Sequence, residues 1–109
     1  MNKTNKVLDL VRLAVKKKCL YLPHAVQQMS RPDRMITTAE VHSAIENGEI
    51  IEDYPEDSRG HSCLLLGKGE NKRPIHIVCS PKDEFLAIIT AYIPDPNEWS
   101  KDYKARVKK

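Results

Sequence analysis

Between Arg73 and Tyr92 the chain reads RPIHIVCSPKDEFLAIITAY, and three of its side chains carry groups suited to acid–base chemistry. In the first half, Ile75, Ile77 and Cys79 fall on one strand face by the period of two, and His76, Val78 and Ser80 on the other. In the second half, Leu86, Ile88, Thr90 and Tyr92 share a face. Phe85, Ala87, Ile89, Ala91 and Ile93 form the opposite, wholly apolar face, expected to meet the core. If Ser80-Pro81-Lys82-Asp83 turns a hairpin, His76, Thr90 and Tyr92 stand together on one rigid sheet face, an imidazole beside two hydroxyls.

That set suits cleavage of RNA without a metal. The ribose 2′-OH must lose a proton to attack phosphorus, the 5′ oxygen must gain one, and the added phosphate charge needs cations or hydrogen-bond donors. His76, Thr90 and Tyr92 are the candidate catalytic residues. His24, in the first turn of a short helix, is a second candidate acid or base. Arg34, just after a turn, and Arg73, opening the His76 strand, offer the planar guanidinium fork that clamps phosphate. His42 and His61 read as surface residues. No two His or Cys residues have helical or CxxC ligand spacing, so no metal is expected, and no cofactor. Cys63 and Cys79 read as small core hydrophobes, and no glycine-rich phosphate loop, GxSxG elbow or HExxH pair occurs. Glu52, Asp53, Glu56 and Asp57 read as a solvated acidic loop.

The elements that must position these residues are legible in the pattern. Val7, Leu10, Val11, Ala14 and Val15 follow helical spacing over about residues 3–18, ending in Lys16-Lys17-Lys18. Pro23 fits the first position of a second, short helix that stops before Pro32. Thr37-Thr38-Ala39-Glu40 is a capping box that opens a third helix, closed by Gly48 as a left-handed terminator. Four strands are expected at 49–54, 61–67, 73–80 and 85–93, separated by turn residues. The expected fold is α+β: N-terminal helices on one face of a four-stranded antiparallel sheet, with the other face free. The tail after Pro96 should dock one turn around Trp99 and then fray into a basic terminus.

The 109 residues, 40% of them apolar, suit one domain with one core. No apolar run is long enough to span a bilayer and no secretion signal opens the chain, so a cytoplasmic protein is expected. Its three cysteines, without a CxxC pair, read as reduced thiols. The net charge of +3 is uneven, with basic clusters near both ends, which permits a polyanionic partner such as RNA or the ribosome. Neither membrane nor DNA is expected as a partner of this chain alone.

His24-Ala25-x-x-Gln28-Met29, then Arg34, Ile36-Thr37, Glu40-Val41, Ala44-Ile45 and Gly48-Glu49 resemble the first half of the domain of unknown function 4258 family. Leu65-Leu66-Gly67, Arg73-Pro74-Ile75-His76-Ile77-Val78, Ile88-Ile89-Thr90-Ala91-Tyr92-Ile93-Pro94-Asp95-Pro96 and Trp99 resemble its second half and closing signature. That family is similar in layout to RelE-like and BrnT-like toxin ribonucleases with a RelE/barnase-like fold. The resemblance therefore implies a metal-independent endoribonuclease of the mRNA interferase type, one half of a toxin–antitoxin pair, with a YgiT-type zinc-finger antitoxin as partner. It implies a site of His24, Arg34, His76, Thr90 and Tyr92. Gln28 stands where the family usually has an arginine. That difference and the low net charge favour an alternative: a non-catalytic binding module of the same fold that uses its free sheet face for a protein or a small ligand.

Overall fold

The computed structural model describes residues 3–107. In chain order the elements are α1 (Lys3–Lys17), β1 (Cys19–Tyr21), α2 (Pro23–Met29), α3 (Thr38–Asn47), β2 (Glu49–Tyr54), β3 (Ser62–Lys68), a 3-10 turn (Glu70–Lys72), β4 (Pro74–Pro81) and β5 (Leu86–Tyr92). The fold is α+β, and β2 to β5 form the expected antiparallel meander. The sheet itself has five strands and is mixed, in the order β1-β5-β4-β3-β2, because β1 pairs parallel to β5 with Cys19 opposite Leu86 and Tyr21 opposite Ile88. This corrects the expected four-stranded antiparallel sheet. Three residues are too few to show a period of two, and a parallel partner nearly seventy positions away leaves no local trace. No helix among the described residues is long and apolar enough to cross a membrane.

One sheet face carries the main core. Val7, Val11 and Ala14 of α1, Ala25 and Met29 of α2, and Val41, Ala44 and Ile45 of α3 close over Cys63, Leu65, Ile75, Ile77, Cys79, Leu86, Ile88 and Ala91. Burying the Val, Leu, Ile and Met side chains among these stabilises the fold by roughly 1.5–3 kcal/mol each. The expected apolar face of β5 is only half right. Cys79 pairs with Ile88 but Val78 with Thr90, so Ile89 is the extra residue of a bulge and the alternation slips there. Leu86 and Ile88 thus face the helices before the bulge, and Ala91 does so after it. The slip leaves His76, Thr90 and Tyr92 on a common face as expected, because Tyr92 stands directly opposite His76.

The capping box forms as read: Thr37 Oγ1 accepts from the Glu40 amide at 3.1 Å and Glu40 accepts from the Thr37 amide at 3.3 Å. Gly48 is not a left-handed terminator, since its φ of −91° and ψ of 178° are extended. It is needed for space instead. A Cβ there would lie 2.5 Å from the Ala44 carbonyl oxygen and 2.7 Å from that of Leu66, where the end of α3 lies against β3. Cys63 and Cys79 are direct cross-strand partners, buried free thiols with their sulfurs 3.9 Å apart.

Candidate functional site

The second sheet face is not free. After β5 the chain turns back and residues 94–107 cross it as a strap. Trp99 and Arg106 form an isolated antiparallel bridge, supported by bonds from the Ser100 amide to the Ala105 carbonyl at 2.7 Å and from the Val107 amide to the Glu98 carbonyl at 2.9 Å. Trp99 is buried and meets the His76 ring edge-on, with centroids 4.3 Å apart. This corrects the expectation of an open face and of a tail that frays after Trp99. Lys108 and Lys109 lie outside the described residues.

The strap is held by charge as well as by the indole. Arg106 donates to both carboxylate oxygens of Glu52 at 3.0 and 3.1 Å and stacks its guanidinium 4.7 Å from the centre of the Trp99 ring. Tyr54 also hydrogen-bonds Glu52. Burial opposes ionisation of Glu52, but the bonds from Arg106 and Tyr54 outweigh it and hold the carboxyl below its ordinary range. Lys104 reaches Glu49 at 2.7 Å. Glu52 is therefore a strand residue paired across the fold, not part of a solvated loop.

His76 lies beneath this strap with 0% of its surface exposed. Its Nε2 lies 2.8 Å from the Tyr103 carbonyl oxygen, which can only accept, so Nε2 carries the hydrogen. Nδ1 is then free to accept from the Tyr92 hydroxyl at 3.2 Å. Burial pushes the His76 pKa below its ordinary 6.5, against the opposing effects of the Tyr103 carbonyl and the Glu52 charge. The ring is a neutral Nε2–H imidazole with both nitrogens engaged. Burial likewise raises the Tyr92 pKa. Thr90 stands opposite Val78 rather than opposite His76, and its buried hydroxyl has no hydrogen-bond partner among the described residues.

The arginines lie elsewhere. Arg73 binds Glu40 through Nε at 2.8 Å and Nη2 at 2.5 Å, and gives its remaining reach to the carbonyls of Arg34 at 2.7 Å and Met35 at 3.2 Å. It fastens β4 to the cap of α3 and to the 31–36 loop, which leaves no fork for phosphate. Arg34 donates to Gln28 Oε1 at 3.4 Å, and its Nε lies 3.9 Å from Asp33. His24 and Gln28 are one helical turn apart on α2, and Arg34, its side chain 13% exposed, reaches Gln28 from the loop that follows. His24 is exposed, while the inner residues of α2, Ala25 and Met29, belong to the helix-side core. His76 points to the other side of the sheet. The proposed site residues thus divide into a group beneath the strap, the buried His76 and the half-buried Tyr92 with Thr90 nearby, and a group at α2 and the loop after it, the exposed His24 and the half-buried Arg34. No group of three or more His, Cys, Asp or Glu among the described residues is placed to hold a metal.

Among known families, the model of one described as a domain of unknown function (DUF4258) matches residues 21–93. No curated protein and no solved structure matches the chain.

Proposed function

The chain belongs to the DUF4258 family, and from that premise we propose that it works as a binding module in which His76 and Tyr92 hold the strap in place rather than move protons. One observation carries this reading: His76 has no exposed surface and both of its ring nitrogens already have partners within the chain. A general acid or base must come within about 2.6–3.2 Å of the proton that it transfers. With Trp99 over the ring and the Tyr103 carbonyl on Nε2, no substrate atom can approach that closely. Arg73, spent on Glu40 and two carbonyls, points the same way. The free sheet face expected to receive a ligand is occupied by the strap, so binding falls to the strap and its margins. Labelled RNA incubated with the protein in EDTA, alone and with translating ribosomes, should stay intact. Cleavage by the wild type in either condition would overturn this reading.

A second reading keeps the ribonuclease: a metal-independent, mRNA-interferase-type toxin, similar to RelE-like and BrnT-like toxins and neutralised by a YgiT-type zinc-finger antitoxin. The exposed His24 favours it, one helical turn from Gln28, which itself accepts from Arg34. In that case RNA cleavage should be lost in His24→Ala, a substitution at an exposed position that leaves the core untouched.

A further inference from the structure

At the margin of the strap, the turn around Tyr103 and the adjoining ends of β2, β3 and β4 enclose a cleft of about 660 Å3. We propose that this cleft is a site for a small phosphate ester carrying a flat aromatic ring, of the size of a nucleoside monophosphate. The proposal rests on the reading of the domain as a binding module. Its volume lies within the range of small-molecule sites, roughly 300–1,000 Å3. Leu66 and Pro74 give it an apolar floor, and Tyr103 lines the strap side.

The rim supplies the charge. Lys68, Lys72 and Lys104 line the cleft together with Glu49 and Asp102. Lys104 is spent on Glu49 at 2.7 Å. The Asp102 carboxylate accepts from Ser100 Oγ at 2.5 Å and from the Lys104 amide at 3.2 Å, both within its own turn. Lys68 and Lys72 make no ion pair among the described residues, so two ammonium groups at the rim are left for a ligand. Ammonium groups on flexible stems suit the several oxygens of a phosphate.

Both walls are preformed. The turn that carries Lys72 is tied down by Glu40, which accepts from the Glu70 amide at 2.9 Å and from Arg73 Nε at 2.8 Å. The strap wall is tied down by the bond from His76 to the Tyr103 carbonyl. Lys72 and Tyr103 have φ of 59° and 62°, a left-handed backbone that side-chain-bearing residues keep only where their surroundings hold it. A cleft with fixed walls spends less of its binding energy on ordering.

The test is a titration of the full chain with adenosine monophosphate, followed by backbone amide shifts, with adenosine and inorganic phosphate as controls. A Lys68→Gln/Lys72→Gln variant, changed only at two exposed lysines, is measured alongside. The proposal expects saturable binding of the monophosphate with the largest shifts at Leu66 and Tyr103. It also expects affinity to fall by about tenfold or more both for adenosine and in the double variant. No saturable binding up to millimolar monophosphate, or binding unchanged in the double variant, overturns it. RNA incubated with the same preparation separates the two failures. Cleavage would overturn the binding-module reading itself, whereas intact RNA without nucleotide binding would overturn this site alone.

Discussion

The imidazole of His76 donates from Nε2 to the carbonyl oxygen of Tyr103 at 2.8 Å, joining the centre of β4 to a residue 27 positions further along the chain. That bond closes a strap that the buried Trp99 holds from one side and the ion pair of Arg106 with Glu52 from the other. His76, grouped by sequence with the hydroxyls of Thr90 and Tyr92, is in space a point at which the strap is fastened to the sheet.

If the strap depends on this anchor, substitutions at its two buried rings should release it. Trp99→Ala removes a buried indole, its contact with His76 and its stacking with Arg106, and should cost about 3–5 kcal/mol. His76→Ala should cost about 2–4 kcal/mol, part of it from the Tyr103 carbonyl and Tyr92 hydroxyl left without their partner. Gln at position 76, which keeps one donor, should recover part of that loss. Limited trypsin digestion checks the cause: cleavage after Lys104 and Arg106 should be faster in the Ala variants while the sheet stays protected.

Acid should loosen the strap in a defined window. His76 has a folded pKa below 6.5, so the unfolded chain binds its proton first as pH falls. Its contribution to stability is present above pH 6.5 and is lost as pH falls from 6.5 through the folded value. The groups facing the ring are Tyr92, Trp99, the Tyr103 carbonyl, Glu52 and Arg106; the carbonyl and Glu52 favour the added charge, but burial outweighs them. Urea denaturation at a series of pH values should show this loss in the wild type and not in His76→Gln. An equal slope in both would place the titration elsewhere.

The ion pair of Arg73 with Glu40 should behave as a structural fastener. Glu40 is 3% exposed and also accepts from the Thr37 and Glu70 amides, so removing Arg73 leaves a buried carboxylate short of its main partner. Arg73→Ala should cost about 2–3 kcal/mol, below the range for fully buried pairs because the Arg73 side chain is 31% exposed. The bonds from Arg73 hold the Glu40 pKa below its ordinary 4.5, despite burial. This stabilisation is therefore present above pH 4.5 and lost as pH falls below it. Chemical denaturation of Arg73→Ala at neutral pH, and of the wild type across that acid range, checks both statements.

Much of this architecture was legible because it is written in local patterns. The capping box at Thr37 and Glu40, the proline that opens α2 and the four alternating strands each declare themselves within a few residues. The grouping of His76 with Tyr92 was legible for the same reason. What the sequence did not disclose depends on distant pairing. Cys19–Tyr21 becomes a strand only because Leu86–Ile88 lies open beside it. Glu52 and Arg106 are 54 positions apart, and neither shows that the other waits across the sheet. Arg73 resembles a phosphate clamp until Glu40 is seen to occupy its fork. The covering of His76 was the costliest omission, because alternation shows which residues share a face but not whether the chain returns over it.

The most direct measurement is the ring spectrum of His76 by nitrogen-resolved NMR as a function of pH. Expected are a neutral Nε2–H imidazole at neutral pH, a slowly exchanging Nε2 proton, and protonation only below 6.5. A His76 ring that exchanges freely with water and titrates at or above 6.5 would show an open imidazole available for chemistry, and would rule it out as the anchor of the strap.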